Sequence, residues 1–277
     1  MHHTEGRFDG PRGLDIRYQG WRPEAEAKAA LIIVHGLAEH SGRYRNLVDH
    51  LLPRGYAVYG FDLPGHGRSA GRRVFVERFD DFDDTLTAFR EMVREWHPAA
   101  PLFLLGHSMG GLIAAHHLVD RQRGLEGAIL SGPAVGIEHG APPLTALLAR
   151  IASLLAPSAG VYGVDPGGIS KDPAVVEAYV NDPLVHRGKA SARLMAEMLR
   201  ASKRVSAEAH TIRLPLVAVH GADDRLVEAH RTRRLFERLG SDDKTLHVYD
   251  GLYHEVFNEP ERARVLADVE RWLEARA

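Results

Sequence analysis

Leu102-Phe103-Leu104-Leu105-Gly106-His107-Ser108-Met109-Gly110-Gly111-Leu112-Ile113-Ala114-Ala115 reads as a buried strand, a tight turn and the start of a helix. Four successive apolar residues suit a strand covered on both faces, and the glycines mark the turn. Gly-x-Ser-x-Gly between a strand and a helix is the setting of a nucleophile elbow. The turn strains the serine backbone and lifts its hydroxyl above the sheet. Glycine on each side removes the Cβ atoms that so close an approach would crowd. A helix starting just after Ser108 also turns its positive end toward any oxyanion formed there. Ser108 is the candidate nucleophile. The second copy of the pattern, Gly67-Arg68-Ser69-Ala70-Gly71, has no strand leading into it and reads as a loop.

Outward from the elbow, the same rhythm repeats. Short apolar runs occur at Leu31–Val34, Ala57–Phe61, Ala128–Leu130, Leu216–Val219 and Leu246–Tyr249, separated by helix-length segments such as Phe82–Trp96 and Gly111–Val119. Arg262–Ala275 closes the chain with apolar residues near helical spacing. Leu14–Tyr18 alternates apolar and polar, as an edge strand does. This pattern predicts an α/β fold, a mostly parallel central sheet with helices on both faces. Each run ends in a loop rich in glycine and polar residues, among them His35-Gly36, His220-Gly221-Ala222-Asp223-Asp224 and Asp250-Gly251-Leu252-Tyr253-His254. Ligands of open α/β sheets bind beyond the carboxyl ends of the strands, where these loops lie. The interval between Leu130 and Leu216 is too long for one crossover. Its excess predicts a helical cap over that edge, dividing the chain into core 1–132, cap 133–210 and core 211–277. Helices are expected at 144–155, which is almost wholly apolar, and at Ala192–Leu199.

Composition narrows the chemistry. The 277 residues are 44% hydrophobic and 26% charged, and 35 Lys and Arg against 37 Asp and Glu give a net charge of −2. A dedicated nucleic-acid binder carries a basic excess, so no nucleic-acid partner is expected. No cysteine is present, which removes disulfides, thiolate metal sites and cysteine nucleophiles. There is no His-Glu-x-x-His, and the adjacent His116 and His117 diverge on a helix, so no metal is expected. Neither a dinucleotide fingerprint nor a phosphate loop is present, and no cofactor is implied. Met1–Arg7 lacks the apolar core of a signal peptide, and no stretch approaches 18 apolar residues. A soluble, cytoplasmic protein is expected, with weak and transient membrane-surface contact through 144–155 or a dimer contact on the same face.

A serine at such an elbow needs a base and an acid, and in this architecture the acid follows the serine and the histidine comes last. His254, after the last strand, is the candidate base; His220 precedes the acid and His247 lies within a strand. The acid is Asp223 or Asp224, between which spacing does not choose. Two backbone donors for an oxyanion fall at Met109, after the nucleophile, and at Leu37, after the strand Leu31–Val34.

These residues belong to longer stretches that resemble the monoacylglycerol lipases of the α/β-hydrolase superfamily, in their bacterial form. The stretches are His35-Gly36-Leu37-Ala38-Glu39-His40-Ser41-Gly42-Arg43-Tyr44, Gly65-His66-Gly67-Arg68-Ser69, Gly106–Gly111, Asp182-Pro183-Leu184-Val185 and Gly251–Glu259. The resemblance implies a triad of Ser108, Asp224 and His254, the acid being the aspartate just before Arg225. It implies Leu37 and Met109 as oxyanion donors, and Glu39 and Arg43 beside the glycerol headgroup of a single-chain acylglycerol. The expected reaction is hydrolysis of a monoacylglycerol through an acyl-enzyme. The rival readings are a lysophospholipase or general carboxylesterase, and a hydrolase-fold protein that binds lipid without turning it over.

Overall fold

The computed structural model describes residues 2–137 and 151–277. Its strands are β1 (His2–Asp9), β2 (Asp15–Arg22), β3 (Ala29–Val34), β4 (Tyr56–Phe61), β5 (Leu102–His107), β6 (Gly127–Ser131), β7 (Gly160–Tyr162), β8 (Ala190–Ser191), β9 (Leu216–Gly221) and β10 (Lys244–Tyr249). The helices are α1 (Arg45–Leu51), α2 (Asp80–Trp96), α3 (Met109–Asp120), α4 (Pro173–Asn181), α5 (Ala192–Glu208), α6 (Ala229–Arg238) and α7 (Arg262–Glu274). Eight strands form one sheet in the order β1-β2-β4-β3-β5-β6-β9-β10. It is parallel from β4 to β10, with β2 antiparallel to β4 and β1 antiparallel to β2. This is the α/β-hydrolase arrangement that the sequence predicts.

Every residue of β3, β4, β5, β6 and β9 is buried, as a parallel sheet covered on both faces requires. Alternate side chains serve opposite layers. In β3, Ala30, Ile32 and Val34 join the core under α2, α3 and α5, whereas Ala29, Leu31 and Ile33 join the core under α1 and α7. The parallel register sets Val34 beside Gly106 and Ser131 beside Val219. The loops after β3, β5, β6, β9 and β10 therefore open at one edge.

One strand departs from expectation. The edge is β1, and the stretch around Leu14–Tyr18 lies one strand inward, as part of β2. β1 is polar and alternately exposed along its length, so it carries almost no apolar signal. Gly6 fills its half-buried place with the ring of Tyr18, which would lie 2.6 Å from any Cβ there.

Between β6 and β9 the described chain contains the small β7–β8 pair, α4 and α5. The expected apolar helix lies outside the described residues over 144–150. Residues 151–155 are helical, with Leu154 and Leu155 65% and 82% exposed. α5 sends Leu194, Met198, Ala201 and Val205 into the main core, where they meet residues of α3. The rest of the segment is tied to the sheet's carboxyl edge. His186 N–H donates to Ala38 O (2.8 Å), Glu255 N–H to Ile169 O (2.7 Å), and His40 Nε2 to Asp182 Oδ2 (2.8 Å).

Candidate active site

Ser108 occupies the turn between β5 and α3 with φ 53° and ψ −118°, a conformation that costs a non-glycine residue about 1–3 kcal/mol. The surroundings impose it. Ser108 N–H donates to Ser131 O (2.9 Å), and Ser108 O accepts from Ala134 N–H (2.9 Å). A Cβ on Gly106 would lie 2.3 Å from Gly110 O, and one on Gly110 would lie 2.0 Å from Val34 O and 2.4 Å from His35 O. The start of α3 thus rests directly on the end of β3, which brings the loop after β3 against the serine. Gly110→Ala is expected to cost about 3 kcal/mol, because both obstructing atoms are main chain and cannot rotate away. Gly163→Ala, whose Cβ would meet nothing closer than 3.9 Å, should stay within about 0.5 kcal/mol of the parent. Denaturant midpoints compare them; equal stability of the two variants would contradict the close seating of α3.

The other serine pattern is structural. Ser69 is 2% exposed; its hydroxyl donates to Asp62 O (2.6 Å) and accepts from Arg17 N–H (2.9 Å).

His254 follows β10, and its Nδ1–H donates to Asp224 Oδ2 at 2.6 Å. A carboxylate only accepts, so Nδ1 carries a proton, and in the neutral imidazole the lone pair is then on Nε2. Asp224 is buried in the loop after β9, and its Oδ1 accepts from the N–H groups of Leu226 (2.8 Å) and Val227 (2.9 Å). Oδ2 also takes a bond from His220 Nε2 (3.0 Å), whose Nδ1 meets Thr232 Oγ1 (2.8 Å). Burial opposes ionisation of Asp224, yet the bonds from His220 and His254 outweigh it and hold the carboxyl well below the usual carboxylate range. Asp223 is exposed. In the sequence His220 precedes the acid and so does not fit the order for a base; its place at a strand end beside two aspartates is the signal that points to it.

The loop after β3 is pinned at both ends of Gly36. His35 Nε2 accepts from Leu63 N–H (2.9 Å), so its Nδ1–H donates to Gly36 O (2.8 Å). Gly36 N–H donates to Glu39 Oε1 (2.6 Å). A trans peptide points its carbonyl and its N–H in opposite directions, so holding Gly36 O also sets the direction of Leu37 N–H. Met109 opens α3, where first-turn N–H groups have no intrahelical partner.

Ser108, His254, Leu37 and Glu39 line one cavity of about 620 Å³ whose remaining wall is mostly apolar, with Ile137, Val161 and Met195 among its residues. Glu255 lies on the same wall, unread in the sequence although it directly follows His254. Arg43, expected beside a bound headgroup, is not on the wall. It stands behind Glu39, held by two carboxylates and stacked 4.7 Å over the Tyr179 ring. Among the described residues no cluster of three or more His, Asp or Glu could hold a metal ion, and no helix is long and apolar enough to cross a membrane.

Comparison with known proteins agrees with this architecture. Residues 25–261 match the family described as serine aminopeptidase, S33. The monoacylglycerol lipase of Mycolicibacterium smegmatis is 37% identical, covering 98% of this chain and 96% of its own. A phospholipase of Bacillus subtilis is 36% identical over 86% of this chain and 92% of its own. The crystal structure of Paleococcus ferrophilus monoacylglycerol lipase superimposes with a TM-score of 0.82 at 30% identity, covering all of both chains.

Proposed function

The chain belongs to the serine aminopeptidase S33 family of α/β hydrolases as a monoacylglycerol-lipase-like member, and from that premise we propose that it hydrolyses monoacylglycerols to fatty acid and glycerol. It is a carboxylic ester hydrolase of the lipase and esterase type. In the proposed reaction Ser108 attacks the ester carbonyl while His254 Nε2 takes its proton. Asp224 keeps His254 in the tautomer that can do so and stabilises the imidazolium. The N–H groups of Leu37 and Met109 receive the oxyanion. His254 then protonates the leaving glycerol, and water repeats the sequence on the acyl-enzyme. Residues 133–210 form the proposed cap, with α5 shared between cap and core.

The observation that carries the substrate reading is the chemistry of the cavity wall. Beside Ser108 it presents two carboxylates, Glu39 and Glu255, and elsewhere it is mainly apolar. A carboxylate has about four acceptor sites. Gly36, Tyr44 and Arg43 use Glu39, while Arg43 and Asn258 use Glu255. This wall suits a neutral headgroup with hydroxyl donors and opposes a phosphate. The expected outcome is at least about tenfold higher kcat/KM for a monoacylglycerol than for a lysophosphatidylcholine of the same acyl chain. One charge-assisted hydrogen bond, worth about 1.5–3 kcal/mol, is enough for that ratio. Fatty-acid release from the matched pair measures it.

A lysophospholipase is the second reading. It is favoured by Arg231, a cation on the same cavity wall, and by the Bacillus phospholipase relative. Equal rates, or preference for the phospholipid, would select it.

A further inference from the structure

We infer that Arg43 and Glu255 are positioning residues, which lock the loop bearing Leu37 to the loop bearing His254. The inference rests on the roles proposed above for Leu37, Ser108 and His254, and it assigns a task to a buried charge cluster beside them.

Three charged side chains meet out of water. Those of Glu39, Arg43 and Glu255 are 5%, 8% and 7% exposed. Arg43 Nε donates to Glu39 Oε2 (3.1 Å), and its NH2 group donates to Glu255 Oε1 (2.8 Å) and Oε2 (2.6 Å). Burying such a cluster is seldom a net source of stability, because desolvation of each ion cancels most of the attraction. What the cluster supplies is register between segments far apart in sequence.

On one side, Glu39 Oε1 accepts both Gly36 N–H (2.6 Å) and Tyr44 OH (2.7 Å). The carboxylate therefore holds the His35–Gly36 peptide, next to the Gly36–Leu37 peptide that His35 Nδ1 holds through Gly36 O. Gly36 in turn packs against the nucleophile, for a Cβ on it would lie 3.2 Å from Ser108 Cβ. On the other side, Glu255 is bonded through the chain to His254. Its N–H donates to Ile169 O (2.7 Å), and its Oε2 accepts from Asn258 Nδ2 (2.8 Å). Asn258 is itself held by Asn46 Nδ2 (2.9 Å) on α1. The guanidinium spans the gap between these two anchored groups, and Tyr179 of α4 covers its face at 4.7 Å.

The electrostatics agree with two acids sharing one cation. Burial raises the Glu255 carboxyl and the neighbouring Glu39 charge adds to the rise. Burial opposes ionisation of Glu39 too, yet the Arg43 guanidinium and the bond from Tyr44 OH act against it, and Glu39 ends below the usual range. A base and an oxyanion hole must act on one carbonyl together, and a misplacement of about 1 Å costs roughly 100-fold. A planar guanidinium can hold two carboxylates at a fixed angle, which a lysine ammonium cannot.

The test uses Arg43→Lys, with Glu255→Gln as the variant that keeps the arginine. Each is assayed on a monoacylglycerol, on a p-nitrophenyl ester of the same acyl chain, and for labelling by a fluorophosphonate probe. Active sites are counted by titration. Expected is a fall in kcat of roughly 10- to 100-fold on both esters, with KM changed less than about threefold and a matching drop in labelling rate. A loss confined to the glycerol ester, with the p-nitrophenyl ester and the labelling rate unchanged, would leave the cluster only the headgroup contact proposed for its carboxylates and overturn the inference. Unchanged kcat per titrated site, with only a lower melting temperature, would overturn it in favour of a structural role. Failure of the parent protein to react with the probe would remove the proposed reaction itself, and the inference with it.

Discussion

Ser108→Ala is expected to lower ester hydrolysis by about 10⁴- to 10⁶-fold while leaving the fold intact. The substitution removes one atom, the oxygen proposed to form the acyl-enzyme. What survives is the set of backbone N–H groups around the carbonyl and the cavity that orients the chain, which together sustain only slow attack by water. Stability should change by less than about 1 kcal/mol. Alanine bears the positive φ of 53° at about the same cost as serine, and the side chain is only half-buried. The measurements are initial rates on a p-nitrophenyl ester, a thermal melt, and the mass of the protein after a fluorophosphonate probe. Parent protein should gain one probe on the peptide containing Ser108, and the variant none. Near-normal turnover in the variant, or a probe found on another serine, would remove Ser108 from the mechanism. Ser69 is the informative control, because its hydroxyl is buried and already bonded on both sides.

The central strands are legible in the sequence because their burial is complete, and β10 and the terminal helix because apolar residues recur at the right spacing. β3, β4, β5, β6 and β9 are legible to within two residues because every position is apolar or glycine except His107, Ser131 and His220, each at or beside the strand's end. β1 is illegible for the opposite reason: water faces alternate residues, and the strand is held by the backbone of β2 and the ring of Tyr18 over Gly6. The amphipathic pattern of α5 was visible, but amphipathicity says only that one face is covered. That the covering surface includes α3 depends on how far the preceding segment reaches.

The site divides along a similar line. Ser108 and His254 announce themselves through local context, a glycine-framed turn and a loop after the last strand, and the structure brings both to one cavity. Partners joined across long sequence separations do not. Glu255 meets Arg43 over 212 positions and His254 meets Asp224 over 30. Arg43 shows how a residue can be in the right neighbourhood and face another way. Its spacing of four from Glu39 looks like an exposed helical pair, yet the chain at Ser41–Tyr44 is a single 3₁₀ turn that folds the guanidinium inward.

The choice between Asp223 and Asp224 is the sharpest such case, and it leads to the second large expected effect. Asp224→Asn should lower kcat by about 10⁴-fold, and Asp223→Asn by less than about twofold. In an asparagine at 224, the amide oxygen can retain the bonds from Leu226 and Val227 N–H, which fixes the NH2 group in the place of Oδ2. That NH2 group then faces His254 Nδ1 at the present 2.6 Å and His220 Nε2 at 3.0 Å. His254 can answer by moving its proton to Nε2, which leaves no lone pair to take the serine proton. His220 donates to Val227 O as well (2.8 Å), so its own proton is committed and a donor-to-donor contact results. Such a buried mismatch costs roughly 1–3 kcal/mol, so a lower denaturation midpoint should accompany the loss of rate. Asp223 is exposed, and its N–H bond to Leu252 O (3.0 Å) uses the main chain. Its amide variant should therefore match the parent in both respects. Steady-state kinetics and denaturation on the two variants decide it. Equal losses, or more than a tenth of parental kcat left in Asp224→Asn, would show that the 2.6 Å contact does not set the tautomer of the base.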